Sequence, residues 1–228
     1  KPSGSLAHNL VVTLGKPIAN GSWTTETPFP TEQQLCAQYG VSRSVVREAI
    51  KVLRSKGLVD SRPKRGTQVL DRSHWNFWDT DVLSWLEKDK QFFEDLAEFR
   101  LSVEPKVAFL CAQRASKAQV QSILESGDRM EDAAAKRLYE LYDEADFDFH
   151  QLIADACGNR LMQQMMKALN PLISLNRAQT RHLMGEVKST VPLHQNLATA
   201  ISKGQTKKAS DLMIRIIEEA KRYAIQTK

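Results

Sequence analysis

The chain has 228 residues, of which 42% are hydrophobic and 26% charged, enough to bury one large or two ordinary cores. No stretch approaches the roughly 18 consecutive apolar residues of a membrane span, and the N-terminus has no apolar signal core, which predicts a cytoplasmic protein with no membrane partner. The three cysteines lack zinc-finger or CxxC spacing, so neither kind of site is expected.

The net charge of +5 is unevenly distributed along the chain. Residues 1–75 hold 11 Lys and Arg against 5 Asp and Glu, whereas the rest of the chain holds 21 against 22. A basic domain followed by a neutral one is expected of a DNA-binding protein with a separate control module, because phosphate contacts supply most of the nonspecific affinity.

The first predicted elements are two short helices joined by a tight turn. Thr31, with Gln34 three residues later, predicts a capping box, and the helix that it opens ends near Tyr39. The second helix runs from Ser42, its N-cap, to about Lys56. One face of it is apolar, through Val46, Ala49, Ile50 and Leu53, and the other is basic, through Arg43, Arg47, Lys51 and Arg54. This order is typical of a helix-turn-helix, whose second helix enters the major groove.

A basic hairpin is predicted next. Val59 to Arg62 and Thr67 to Leu70 predict two strands around the tip Pro63-Lys64-Arg65-Gly66, which is the layout of a wing. Taken alone, an amphipathic helix with a basic face is usually only a solvated helix. A capped helix, a turn, a basic helix and a basic wing within about forty residues favour a DNA-binding unit instead.

These residues resemble the GntR-type transcription regulators, whose winged-helix domain reads like the stretch PFPTEQQLCAQYGVSRSVVREAIKVLRSKGLVDSRPKRGTQV found here. The resemblance implies a DNA interface formed by Thr31, Ser42, Arg43, Ser44, Arg47, Lys64, Arg65 and Gly66. By the same resemblance the arginines of the second helix reach base edges or phosphates, its serines bind phosphate, and Gly66 enters the minor groove. Gln33 stands where several relatives carry an arginine, so the resemblance does not predict the operator sequence.

The rest of the chain predicts an all-α domain, so that the whole fold is mainly α. The predicted divisions are a winged helix-turn-helix domain at 1–73, a tryptophan-rich linker with a short helix at 74–88, and an all-helical effector-binding and dimerisation domain at 89–228. The helical bundle is predicted to contain Gln91 to Arg114, Lys117 to Ala134, Arg137 to Ala156, Asn159 to Leu183, Thr190 to Ser202 and Thr206 to Thr227.

Within the helical domain, Asp146 and His150 are four residues apart and so share one helix face. A carboxylate and an imidazole directed at a core need a partner, which a metal ion would supply. By spacing alone, such a pair is more often on the surface or hydrogen-bonded, and both interpretations stay open.

The helical domain also resembles the effector-binding FCD domain of the FadR branch of these regulators, in which an Asp, a His four residues on and two later His hold a divalent metal. Asp146, His150 and His194 match the first three ligands, whereas Ile216 stands at the position of the fourth and cannot be a ligand. His182 is the only other histidine nearby, at an expected helix end.

The resemblance therefore implies one of two pockets. In the first, three residues hold zinc, nickel or manganese, and water or the effector completes the shell. In the second, which we favour because losing a ligand lowers metal affinity, the same groups hydrogen-bond an organic acid directly. DNA binding requires no metal in either case.

Two arginines complete the effector site that the resemblance implies. Arg100 and Arg177 occupy positions where related domains direct cations toward the cavity, and arginine binds a carboxylate with two parallel hydrogen bonds. The alternatives are a helix-surface pair of Arg100 with Glu104 and a solvent-exposed Arg177. The implied effector site comprises Arg100, Asp146, His150, Arg177 and His194.

The junction HWNFWDTDVLSW resembles the sugar-acid-responsive members of this branch. We therefore expect a homodimeric transcription regulator, not an enzyme, that represses from a palindromic operator and is released by a small carboxylate such as an aldonate. The alternative from another class is a metalloenzyme, because two histidines and one carboxylate also hold iron in oxygenases. A third interpretation keeps the regulator but makes its effector an acyl thioester or the metal itself.

Overall fold

A computed structural model divides the chain into two compact units, Lys1–Glu87 and Lys88–Lys228. The structure describes residues 5–62, 65–86, 90–180 and 185–226, and their side chains except at 175–180, 185–189 and 225–226. None of the helices in these ranges combines the length and the apolarity of a membrane span.

The first unit is a winged helix-turn-helix preceded by a further helix. Its elements are α1 (Leu6–Ala19), α2 (Glu32–Tyr39), α3 (Arg43–Ser55), β1 (Val59–Arg62), β2 (Gly66–Val69), a short 3-10 helix (Arg72–His74) and α4 (Thr80–Trp85). Helix α3 packs against α1, α2 and β1, and α4 packs against α1. The predicted helix-turn-helix and wing are confirmed, whereas α1 has no counterpart in the sequence analysis.

Local sequence sets the boundaries of the two central helices. Thr31 and Gln34 form the predicted capping box, with Thr31 N donating to Gln34 Oε1 at 2.8 Å. Helix α2 ends at Gly40, whose φ of 64° lies in the left-handed region that glycine enters without strain. Ser42 caps α3 by accepting from Val45 N at 3.4 Å. The buried face of α3 is the predicted one, Val46, Ala49, Ile50 and Leu53.

The wing is an antiparallel hairpin in which Val59 lies opposite Val69 and Arg62 opposite Gly66. Its second strand begins at Gly66, one residue before the predicted start. Arg65 and Gly66, the described residues of the predicted tip, are exposed. Pro63 and Lys64 lie outside the described residues.

The tryptophans of the predicted linker pack on the first unit. Trp75 is 8% exposed and donates from Nε1 to Leu70 O at 3.0 Å. Trp85 is equally buried, and a Cβ on Gly15 of α1 would lie 2.2 Å from its ring, so only glycine fits beneath it. Trp78 is 48% exposed. Two of these three rings thus belong to the core of the first unit.

Lys56 is a buried cation that joins the end of α3 to the start of α4. Its Nζ donates to Asp79 Oδ1 at 2.7 Å and to Asp81 Oδ2 at 2.9 Å, and Asp79 also caps α4 by accepting from Val82 N. Burial alone would lower the pKa of Lys56 and raise the pKa of Asp79. The hydrogen bonds and charges between them outweigh burial, so the pKa of Lys56 is raised and that of Asp79 is lowered.

We expect Asp79→Asn to lower the free energy of unfolding of the first unit by about 1.5–3 kcal/mol at pH 7, the range for hydrogen bonds to charged groups. Because the pKa of Asp79 is lowered on folding, its contribution is complete above the unfolded pKa, about 3.9, and is lost as pH falls through the folded pKa. The difference between variant and wild type should therefore shrink below about pH 4.

Tryptophan emission measures this effect in the first unit, because all four tryptophans of the chain lie within residues 23–85. Asp148→Asn is the matched control, since Asp148 is 41% exposed and pairs with Arg129 in the second unit. A difference that stays constant down to about pH 2 would show that Asp79 acts through its shape and not through its charge.

The second unit is a bundle of six described helices. They are α5 (Lys90–Arg114), α6 (Lys117–Ala135), α7 (Tyr139–Ala156), α8 (Arg160–Thr180), α9 (Gly185–Ser202) and α10 (Thr206–Gln226). Helix α5 packs against α7, α8, α9 and α10. Helix α7 begins at Tyr139, two residues later than predicted, because Arg137 adopts a left-handed φ of 58°. Helix α9 begins five residues earlier than predicted.

Candidate functional site

The predicted DNA face of the first unit is exposed. Ser42, Arg43 and Ser44 lie in solvent at the start of α3, with the two serine hydroxyls 2.8 Å apart. Thr31 is also exposed, and its hydroxyl caps α2. Arg43 makes no ion pair among the described residues, which leaves its guanidinium available to a ligand.

Arg47 differs from Arg43 because it has an internal partner. Its Nε donates to both carboxylate oxygens of Glu32 on α2, at 3.0 and 3.2 Å. The Arg47 side chain is 69% exposed and that of Glu32 is 40% exposed, so the pair lies on the surface. DNA would therefore have to compete with Glu32 for Arg47. Sequence analysis missed Glu32, although its place in the first turn of α2 is visible there.

A second cluster is buried inside the helical unit. Helix α7 supplies Asp146 and His150, and α9 supplies His194, each at most 3% exposed. Asp146 Oδ1 lies 3.1 Å from His194 Nε2 and 3.8 Å from His150 Nε2. One ligand atom from each of the three residues lies within 4.8 Å of the others. The structure thus brings together the three residues that sequence analysis assigned to one site.

Both histidines turn Nε2 toward Asp146, although the planes of the two rings are 84° apart. His194 Nδ1 lies 2.8 Å from the backbone carbonyl of Thr190, and His150 Nδ1 lies 3.3 Å from Glu104 Oε2. In each ring the outer nitrogen faces an acceptor, and Nε2 faces the same carboxylate. Metal-binding histidines show this arrangement, in which a hydrogen-bond acceptor fixes the tautomer.

Glu104 of α5 is the residue that sequence analysis did not assign to the site. It is fully buried, and its Oε1 accepts from Arg100 Nε at 2.6 Å. Burial alone would raise the pKa of Glu104, but the charge of Arg100 and the proximity of His150 outweigh it and lower that pKa to about 2. Arg100 and Glu104 form the pair that the alternative interpretation named, but the pair is buried and not on the helix surface, because Arg100 is only 3% exposed.

Ile216, which the resemblance places at the position of a fourth ligand, is 3% exposed on α10. Helix α10 packs against α5 and α9, which carry Glu104 and His194. The side chain of Arg177 and the whole of His182 lie outside the described residues. The described part of the unit therefore offers three ligands.

These three residues fit a divalent metal ion. Two imidazoles and one carboxylate suit zinc, nickel and manganese, and their ligand atoms are close enough to share one ion. The orientation of both Nε2 atoms toward Asp146 Oδ1 supports the same conclusion, since hydrogen bonding alone does not require it.

Comparison with known proteins agrees with this two-part architecture. Residues 6–69 match the family described as bacterial regulatory proteins, gntR family, and residues 95–219 match the FCD domain. The galactonate operon transcriptional repressor of Escherichia coli K12 is 33% identical over 199 residues, which cover 84% of this chain and 85% of that protein.

Solved structures share the fold. That of Lar, described as controlling the agr system of Listeria monocytogenes and mediating virulence, covers all of both chains with a TM-score of 0.69 at 17% identity. A structure described as the metal-free FCD domain of a transcriptional regulator has a TM-score of 0.50 at 22% identity, and covers 61% of this chain and 96% of that one.

Proposed function

The chain belongs to the GntR family of bacterial regulatory proteins and carries an FCD domain, and on that premise we propose that it is a homodimeric repressor released from operator DNA by a small carboxylate. The observation that carries this proposal is the buried cluster of Asp146, His150 and His194, in a separate unit from the exposed helix-turn-helix. An aldonate is the proposed effector, because the galactonate repressor is a relative over most of the chain.

The charges of the described cluster favour a metal-containing pocket over the metal-free one that the sequence favoured. Arg100 contributes one positive charge, and Glu104 and Asp146 contribute two negative charges. The net charge of the cluster is therefore −1 when the histidines are neutral. An incoming carboxylate would meet a net negative pocket whose arginine is already paired. A divalent ion changes this net charge to +1, and a monoanionic effector then changes it to zero.

Different residues of this chain would have different roles in effector binding. Asp146, His150 and His194 would hold the ion, which supplies the positive charge that receives the carboxylate. Arg100 keeps Glu104 ionised and is not the main anion receptor. Release of DNA requires the effector to prefer a conformation of the dimer that cannot present both recognition helices to one operator.

The test is an operator titration with and without an aldonate such as galactonate, each in the presence and absence of a chelator. We expect the aldonate to weaken operator binding, the chelator to abolish that response, and the chelator alone to leave operator binding unchanged. In thermal denaturation, a ligand at 100 times its Kd should stabilise the protein by about 2.7 kcal/mol.

Other outcomes of this titration separate the alternatives. If an acyl thioester but not an aldonate releases the protein from its operator, the effector is an acyl thioester. If zinc alone releases it, the metal is the effector. Oxygen consumption by the iron-loaded protein would support the metalloenzyme, although the family and the relatives are transcription regulators.

A further inference from the structure

We propose that Glu104 is a positioning residue for the metal site: when the ion is bound, it accepts a hydrogen bond from Nδ1 of His150 and thereby directs Nε2 of that ring at the ion. This inference rests on the proposed function only in taking Asp146, His150 and His194 as the ligands. It assigns to α5 a part in a site whose ligands lie on α7 and α9.

Arg100 donates to both oxygens of Glu104, from Nε to Oε1 at 2.6 Å and from Nη2 to Oε2 at 3.5 Å. His150 Nδ1 lies 3.3 Å from Oε2, which is ion-pair distance, although the two groups lack the alignment of a hydrogen bond. Arg100 and Glu104 are one helical turn apart on α5, and all three side chains are at most 4% exposed. The carboxylate therefore cannot turn away from His150 without giving up a buried ion pair.

In the two histidines, different kinds of group face Nδ1. For His194 the acceptor at Nδ1 is the carbonyl of Thr190, a backbone group that no substitution removes. For His150 the group that faces Nδ1 is a side chain, the Glu104 carboxylate. A charged acceptor also increases the basicity of the ligating nitrogen, and loss of such a partner typically weakens metal binding 10- to 100-fold.

This geometry also gives Arg100 a different task from the one that sequence analysis assigned to it. A carboxylate as deeply buried as Glu104 needs a compensating charge to stay ionised. Arg100 supplies that charge from the same helix. Arg100 thus holds Glu104 beside His150, and Nε2 of His150 lies 3.8 Å from Asp146 Oδ1.

The experiment measures zinc and nickel affinity of the full chain by competition with a chelator. Glu104→Gln keeps the shape of the side chain and removes its charge, and we expect it to weaken binding 10- to 100-fold. Glu98→Gln is the matched control, because Glu98 is an exposed glutamate on the same helix, and its affinity should equal that of the wild type.

Histidine-selective ¹⁵N NMR of the zinc-loaded protein supplies a readout that a merely structural role would not move. In the wild type, His150 should carry its proton on Nδ1 and bind zinc through Nε2. In Glu104→Gln the Nδ1 resonance should shift away from the position of a strongly hydrogen-bonded N–H, while His194 stays unchanged. His150→Gln assigns the signals.

Loss of folding does not obscure the result. If Glu104→Gln is unstable because Arg100 loses its partner, the double variant Arg100→Met, Glu104→Gln removes that charge and should show the same loss of metal affinity. Wild-type affinity in these variants, ligation of zinc by His150 Nδ1, or absence of metal binding in the wild type would each overturn the inference. In the last case, release of the operator by an aldonate would leave the proposed repressor function standing.

Discussion

Replacing Arg100 by alanine is expected to lower the free energy of unfolding of the helical unit by about 3–5 kcal/mol, the range for removing one partner of a buried ion pair. The side chains of Arg100 and Glu104 are 4% and 1% exposed, and 2.6 Å separates Nε from Oε1. Without Arg100, the Glu104 carboxylate stays buried with no cation beside it. A loss of this size is a large part of the roughly 5–15 kcal/mol by which domains are stable.

Chemical denaturation followed by circular dichroism measures this loss of stability. Two further variants serve as comparisons. Arg129→Ala removes an arginine that is 54% exposed and pairs with Asp148, so about 0.2–1 kcal/mol is expected. The double variant Arg100→Met, Glu104→Met removes both charges and should recover most of the stability. Full stability of Arg100→Ala with loss of the aldonate response would instead make Arg100 the anion receptor that the sequence resemblance implied.

The helix-turn-helix and the wing were predictable because their signals are local. The Thr31 capping box, the Ser42 cap and the apolar face of α3 each depend on residues at most one or two turns apart. The pairing of Asp146 with His150 is local in the same sense. His194 was assigned through family resemblance, since nothing in the spacing from residue 150 to 194 indicates that α9 lies beside α7.

The parts that escaped prediction depend on packing between distant segments. Helix α1 contains Gly15 and Pro17, which weaken its helical pattern, but Gly15 is required because the Trp85 ring lies against it. Glu104 looks like an ordinary helix-surface acid beside Arg100, and only the approach of α7 places His150 against it. Burial of both charges is a tertiary property that helical spacing does not reveal.

Replacing Arg43 by alanine should weaken operator binding. The expected loss is about 1–3 kcal/mol for each base to which Arg43 donates two hydrogen bonds. On a palindromic operator bound by a dimer this effect counts twice, about 2–6 kcal/mol in all, which is the second large effect expected. Arg43 is exposed and makes no ion pair in the described structure, so its removal breaks nothing inside the protein. Operator titration at several salt concentrations measures the effect.

Arg47→Ala should cost less than Arg43→Ala, because Arg47 must first leave Glu32, a surface pair worth about 0.2–1 kcal/mol. The converse variant, Glu32→Gln, releases Arg47 and removes a negative charge near DNA, so it should tighten operator binding. The salt dependence identifies the contact: loss of a phosphate contact lowers the slope by about 1, whereas loss of a base contact relaxes sequence preference. Unchanged operator affinity of Arg43→Ala would remove the start of α3 from the DNA interface.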